Sequence, residues 1–151
     1  MAKLLASRTA QWPLMADFTF NFDDTVVDIN GVTKTLGSVY TDLAVAEVIK
    51  VPEGAVVVGG ELVVETAGVG PTVYTVSLGD NNSATRYLSA VNLLAAARTA
   101  LTLTGYRNGA SNTLKNLRLT INSTVANASA GKFTLRVLYV LPNRANETIP
   151  N

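Results

Sequence analysis

Three aspartates lie close together near the start of the chain: Asp23, Asp24 and Asp28. Carboxylate oxygens are the ligands that Ca²⁺ and Mg²⁺ prefer, so this group could hold a hard cation. The Asp and Gly spacing of a calcium loop is missing, which favours a solvated turn. Adjacent carboxylates could also be proposed as a hydrolytic pair, but neighbouring residues on a strand point to opposite faces. The sequence also supplies no further carboxylate at a defined spacing that could complete a hydrolytic pair with Asp23 or Asp24.

A second oxygen-rich group consists of Asp80 followed by Asn81, Asn82 and Ser83. Its carboxylate, amide and hydroxyl oxygens could bind a cation or a sugar. The same residue types fill any exposed turn, because their side chains hydrogen-bond the nearby backbone. The pattern therefore favours a structural turn over a ligand site.

The chain contains no histidine and no cysteine. This removes the commonest general base, the soft metal ligands and the thiol nucleophile together. The pair Gly59-Gly60 resembles part of a phosphate-binding loop, but no helix pattern and no Lys-Ser/Thr follow it. We therefore expect no enzyme activity, no cofactor and no metal.

The charge balance limits the possible partners. Twelve basic and eleven acidic residues leave a net charge of +1, with no basic block that could neutralise a row of phosphates. No apolar run is long enough for a membrane helix, and the N-terminus lacks the pattern of a signal peptide. We expect neither nucleic acid nor a membrane as partner.

Only 15% of the residues are charged while 48% are hydrophobic, so much of the surface must be uncharged. Such a surface suits a docking face, although an ordinary Thr-rich β domain would have the same composition.

The residues between these groups have the pattern of β-strands. Phe18, Phe20 and Phe22 alternate with polar residues, which predicts a half-buried strand. Two apolar runs flank Asn30-Gly31, a pair whose positive φ values predict a type I′ hairpin. The pair Gly59-Gly60 interrupts a strand and predicts a bulge or bend where that strand changes partner or sheet.

Residues 89–98 are the one segment in which a helix competes with a strand. Val91, Leu94 and Arg98 have helical spacing, Ser89 could cap the first turn, and three consecutive alanines favour a helix of two or three turns at most.

The last strand has the clearest pattern. Phe133, Leu135, Val137 and Tyr139 form one face, and the other face turns apolar at Leu138, which predicts a central or doubly covered strand. About eight strands without a βαβ repeat predict an all-β fold, an antiparallel β-sandwich of jelly-roll-like form with at most one short helix. A closed barrel is the alternative.

The chain divides into an N-terminal arm (residues 1–16), a β-sandwich domain (17–141) and a polar C-terminal tail (142–151). The arm carries Trp12, the only tryptophan. Its ring could anchor in a pocket of a neighbouring molecule, or it could fold back onto its own domain.

Four stretches of the domain are similar to one known family. They are residues 51–60 (VPEGAVVVGG), 78–80 (LGD) with 84–88 (ATRYL), 98–106 (RTALTLTGY), and 131–133 (GKF) with 137–140 (VLYV). Together they resemble the head cement, or capsid decoration, proteins of tailed bacteriophages. The likeness spans about residues 44–141 and lies in the overall succession of these segments more than in an invariant motif.

The resemblance implies a jelly-roll-like domain that binds the outer surface of an assembled icosahedral head. There it would bridge subunits of the major capsid protein as a homo-oligomer, with a trimer favoured and a dimer possible. It also implies that the protein is made in the host cytoplasm and ends in the virion. No catalytic residues exist in that family to carry over.

We expect the contacts with the capsid, or between copies, to lie in the arm and at one loop end of the sandwich, because these residues stand outside the regular strands. The candidates are Lys3, Leu4, Leu5, Arg8, Trp12, Arg86 and Tyr87. A carbohydrate-binding or fibre-type β-sandwich module is the alternative function, and it would require clustered aromatic residues.

Overall fold

A computed structural model describes residues 13–108 and 116–141 of the chain. These residues form ten β-strands and no helix. The strands are β1 (Leu14–Asn21), β2 (Thr25–Val27), β3 (Thr33–Thr35), β4 (Ala44–Lys50), β5 (Val56–Val69), β6 (Val73–Gly79), β7 (Leu88–Asn92), β8 (Ala97–Ala100), β9 (Asn116–Thr124) and β10 (Ala130–Val140).

Eight of these strands form two four-stranded sheets. The first has the order β1-β10-β5-β8 and the second β4-β9-β6-β7, while β2 and β3 pair only with each other. Every pairing is antiparallel. Because apolar side chains from both sheets share one core, the predicted antiparallel β-sandwich is confirmed.

The centre of the core is aromatic. Phe133 of β10 is fully buried, with its ring 5.1 Å from the ring of Phe20 on β1 and 5.7 Å from that of Tyr74 on β6. The last contact is edge-on and joins the two sheets. As predicted, β10 is a central strand, since it pairs with β1 on one side and β5 on the other.

The glycine pair produces a bulge, but the strand stays in one sheet. The register of β5 against β10 shifts between Gly59 and Val57, and Gly60 has a φ of +134°. A side chain at Gly60 would collide with the carbonyl oxygen of Arg136. From Glu61 onward β5 gains β8 as a second partner, so the predicted change of partner occurs without a change of sheet.

The predicted hairpin at Asn30-Gly31 forms, but its turn is of another type. The Gly31 amide donates to the Asp28 carbonyl, the Asp28 amide donates to the Val32 carbonyl, and only Gly31 has a positive φ. This is a three-residue loop with a bulge at the glycine, not the predicted two-residue type I′ turn. The Asp28 carboxylate accepts the amides of Asn30 and Val32, which stabilises the longer loop.

Residues 89–98, where a helix was considered, form an extended crossing between the sheets. β7 pairs with β6 in the second sheet, and β8 pairs with β5 in the first. Between them, the Leu93 amide donates to the Tyr74 carbonyl and its own carbonyl accepts from the Gly68 amide. Leu93 is therefore bonded to both sheets and fully buried.

The described residues connect to the other segments of the chain at one end of the sandwich. Leu14 lies opposite Tyr139 in the pairing of β1 with β10, and Val140 lies opposite Val56. Val56 also bridges to Arg107, and Asn116 and Asn108 line one small cavity with Val57. We call this the arm end, because residues 1–12, 109–115 and 142–151 all connect there. Since β1 begins at Leu14, residues 14–16 belong to the first sheet and not to the predicted arm.

We expect Leu135→Ala to lower the free energy of unfolding by about 2 to 5 kcal/mol, because Leu135 is fully buried and its loss leaves a cavity. Leu103→Ala is the matched control. Leu103 is 54% exposed, so its change should stay within about 0.5 kcal/mol. Urea unfolding followed by circular dichroism measures both values, and equal losses would contradict the assigned core.

Candidate docking surfaces

The loop between β6 and β7 is organised around Asp80, which is buried. Its carboxylate accepts the backbone amides of Asn82 and Ser83, which makes the turn that the sequence predicted. It also accepts the Arg86 Nε at 2.5 Å and, more weakly, the Arg86 Nη2 at 3.4 Å. Asp80 is therefore a structural group that holds both ends of its own loop.

Arg86 lies between a carboxylate and an aromatic ring. Its guanidinium carbon is 3.6 Å from the ring centroid of Tyr106, whose hydroxyl accepts from the Asn82 amide. The hydrogen bond to Asp80 raises the pKa of Arg86 above its usual range. The side chain thus ties the loop to the segment that follows β8.

Of the residues that the sequence nominated in this loop, neither projects freely. Tyr87 is 4% exposed, and burial raises its pKa to about 12. Arg86 is engaged with Asp80 and Tyr106. The outward-facing residues are their neighbours Asn81, Asn82, Ala84 and Thr85, which carry no charge.

Loop 80–87 lies at the arm end. Asp80 and Tyr87 line the same cavity of about 10 Å³ as Val57 and Asn108. A space of this size can hold at most about one water molecule and no larger ligand. The structure therefore brings the predicted loop to the end where the arm connects. The other nominated residues, Lys3, Leu4, Leu5, Arg8 and Trp12, lie outside the described residues.

A shallow groove of about 490 Å³ runs between the β2–β3 hairpin and Asn81, over Glu47 and Arg118 of the second sheet. Its charges are paired: Arg118 Nη2 donates to Glu47 at 3.2 Å, and Lys34 lies 3.1 Å from Asp28. The hydrogen bond from the Val32 amide, with that from Lys34, lowers the pKa of Asp28. Each of the two carboxylates that line the groove therefore has a partner of opposite charge.

Charged side chains on the outer face of the first sheet are paired in the same way. Arg136 of β10 lies 3.7 Å from Asp17 on β1 and 3.5 Å from Glu61 on β5. Arg98 of β8 donates twice to Glu61 and, by this hydrogen bond, lowers the pKa of that carboxyl. This ladder crosses all four strands and favours their register, as opposite charges on neighbouring strands do.

Sequence reasoning did not identify the end of the sandwich opposite the arm end. Four exposed valines lie there, on or next to the loop between β9 and β10: Val39, Val69, Val73 and Val125. We call it the valine end. Single valines in a sequence rich in valine give no signal, since only the fold brings these four together.

Two kinds of site are absent from the part of the chain that the structure describes. Residues 13–108 and 116–141 contain no group of three or more acidic, histidine or cysteine side chains arranged to hold a metal ion. Nor does any helix among them have the length and hydropathy to cross a membrane.

Comparison with solved structures finds the same fold in phage capsids. The chain is similar to a chain of the cyanophage Pam1 capsid asymmetric unit, with 24% identity, a TM-score of 0.60 and coverage of 93% of this chain and 94% of that one. It is also similar to a chain of the acid-stable capsid of Helicobacter pylori bacteriophage KHP30, with 21% identity, a TM-score of 0.59 and coverage of 88% and 90%. A chain of the Ralstonia phage GP4 capsid matches with 12% identity, a TM-score of 0.53 and coverage of 95% and 93%.

These TM-scores and coverages show a shared fold over nearly the whole length of each chain. No protein-family model and no curated protein sequence matches the chain.

We expect Arg86→Lys to loosen loop 80–87 while leaving the sandwich folded. Lysine keeps the positive charge but cannot reproduce the forked hydrogen bond to Asp80 and the flat contact with Tyr106. Amide hydrogen exchange of residues 81–85 should become roughly tenfold faster. Arg98→Lys is the control, because Arg98 also forks onto a carboxylate but lies on the outer face of the first sheet. Unchanged exchange in Arg86→Lys would show that Asp80 and the backbone hold the loop without Arg86.

Proposed function

We propose that this protein is a capsid cement, or decoration, protein of a bacteriophage, which binds the outer surface of an assembled head and bridges subunits of the major capsid protein. The observation that carries this proposal is the likeness of fold, end to end, to chains of three phage capsids. A structural role fits the described residues, whose charged groups are largely paired with one another, as Asp80 is with Arg86 and Asp28 with Lys34.

The closed core supports addition to a finished shell. Both sheets and the aromatic centre come from one chain, so the domain can fold without the capsid. A cement protein then acts by mass action: it binds the assembled shell and not the separated subunits. Each occupied site adds its binding free energy to the cost of separating those subunits.

Modest affinity is enough for this role. A standard interface buries about 800 Å² on each partner, and icosahedral symmetry repeats it over the particle. Copies that are linked to one another bind with an effective concentration that strengthens attachment without new contacts. A homo-oligomer, with a trimer favoured, would therefore bind more firmly than separate copies.

The arm end is the best candidate for the shell contact. The arm, with Lys3, Leu4, Leu5, Arg8 and Trp12, connects there, and loop 80–87 lies at the same end. In this proposal Arg86 and Tyr87 hold the loop from within, and the uncharged residues beside them meet the capsid. The protein is made in the host cytoplasm and ends on the outer surface of the virion.

A carbohydrate-binding or fibre-type module is the weaker alternative. Such modules present exposed aromatic rings to the sugar. All four Phe and all five Tyr lie among the described residues, and each is buried or half-buried. A glycan array would test this alternative, and specific binding of one glycan would favour it over the cement role.

Deleting residues 1–12 should weaken binding to assembled heads while leaving the sandwich intact. The deletion keeps Pro13 and the whole of β1, so the pairing of β1 with β10 is preserved. Co-sedimentation with heads measures occupancy, and circular dichroism with thermal unfolding checks the fold. Deletion of the polar tail, residues 142–151, is the control that removes a similar length at the same end. Full occupancy after the arm deletion would reject the role of the arm.

Attachment to heads should change little between low and high salt, for instance between about 0.05 M and 0.5 M, over which range the screening length falls several-fold. The reason is that three ion pairs of the described surfaces, Asp80–Arg86, Glu47–Arg118 and Glu61–Arg136, are already made within the chain. Co-sedimentation over a salt series measures this dependence. Release at high salt would instead indicate an electrostatic contact with the capsid.

A further inference from the structure

Val125 adopts a backbone conformation that valine rarely takes. Its φ is +75°, and the amide of Ala126 donates to the carbonyl of Thr124 at 3.0 Å. A hydrogen bond across one residue with a positive φ defines the strained form of the γ-turn. For a β-branched residue this is a true outlier, because the side chain crowds the backbone.

The turn does not use its valine for folding. The Val125 side chain is 81% exposed, the highest exposure of any large hydrophobic residue among those described. Glycine would adopt the same φ without strain and would keep the backbone hydrogen bond. Strain that the fold does not require is a reason to look for a function at that position.

Three other exposed valines surround this turn. Val73 lies next to Val125, since it pairs with Thr124. Val69 accepts the Ser129 amide through its carbonyl, and the Val39 amide donates to the side chain of Asn127. Their side chains are between 39% and 55% exposed. A cluster of this kind at one end of a domain is typical of an interaction site.

The segments that build the valine end carry no charge. Residues 35–41, 66–79 and 119–131 contain no Asp, Glu, Lys or Arg. Charged residues begin just outside these segments: Lys34 and Asp42 flank residues 35–41, Asp23 and Asp24 lie in the turn after β1, and Lys132 is paired with Glu65 at 2.7 Å. In a contact between identical copies, equivalent residues approach one another around the symmetry axis, so a charged patch would repel itself. An uncharged apolar patch meets a second copy of itself without that penalty.

We propose that the valine end is the surface through which copies of this chain bind one another, with Val125 at its centre. The proposal rests on the oligomeric part of the proposed function and names the surface that performs it. The occupant is a second copy of the same chain, and the self-compatibility of the uncharged patch is what favours it over a capsid subunit.

This placement explains how a small domain could bridge. Copies joined at their valine ends keep their arm ends apart and exposed. Each arm end can then bind a different capsid subunit, and the joint between the valine ends connects those subunits. The bridge is a property of the oligomer, and a single copy needs only one capsid site.

The test measures the native mass of the full-length protein by sedimentation velocity, from roughly 1 to 100 µM. The unmodified protein should form an oligomer. Val125→Asp should weaken self-association by at least about tenfold, since it places like charges together at a central contact. Val27→Asp is the matched control, because Val27 is also a highly exposed valine but lies on the β2–β3 hairpin. It should associate like the unmodified protein.

Val125→Gly separates the effect of the strained backbone at this position from the effect of its exposed side chain. It relieves the positive φ and removes the side chain, so its melting temperature should equal or exceed that of the unmodified protein while its self-association weakens. Because this variant is not expected to unfold, a loss of association cannot be attributed to misfolding.

An unmodified protein that stays monomeric throughout, or association that neither Val125 variant alters, would overturn the proposal. Co-sedimentation with heads distinguishes the remaining case. If Val125→Asp keeps its native mass but no longer binds heads, the valine end faces the capsid and the proposal is wrong, while the cement role stands. If no form binds heads, the cement role fails, and the native masses still decide whether the valine end joins copies.

Discussion

The edge-on contact between Phe133 and Tyr74 is the interaction on which the rest of this structure depends. Phe133 belongs to the central strand of one sheet and Tyr74 to the other sheet, so this contact joins the two layers at their aromatic centre. The chain has no cysteine, hence no disulfide can supply the link. The Tyr74 hydroxyl also donates to the Leu36 carbonyl, which attaches the segment after the β2–β3 hairpin to the same centre. Because the packing is complete inside one chain, the loops at both ends are available for binding.

The sequence predicted those parts of the fold in which a residue's face is decided by burial alone. The alternation from Phe133 to Tyr139 and that of Phe18 and Phe20 identify two paired strands, because a period of two leaves only one face for the core. The segment 89–98 was ambiguous, because alanine is the best helix former but its preference over most residues is worth less than about 1 kcal/mol, which tertiary bonding overrides. The bonds of Leu93 to both sheets decide the matter, and they join residues far apart in the sequence.

The candidate surfaces were harder to predict, since exposure depends on neighbours that a single sequence does not reveal. Arg86 and Tyr87 lie outside the strands, which is where contact residues are expected. In the structure, however, Arg86 contacts Asp80 and Tyr106, and Tyr87 is buried in the core. For the same reason, the sequence did not predict the valine end. An exposed valine and a buried one look identical in a strand pattern, and the positive φ of Val125 comes from the tight turn between β9 and β10. Sequence patterns report the period of an element, whereas a docking surface is made where several elements end.

The distance between the two ends is set by the strand that forms the core. β10 begins at Ala130, opposite Val69 at the valine end, and finishes at Val140, opposite Val56 at the arm end. At about 3.3 Å per residue its ten steps separate the two ends by about 33 Å. A paired central strand resists bending more than a loop does, so the separation is nearly fixed. If copies meet at one end and the capsid at the other, the geometry of the bridge follows from the length of β10. The residues that stabilise this domain then also determine which spacing of capsid subunits it can join.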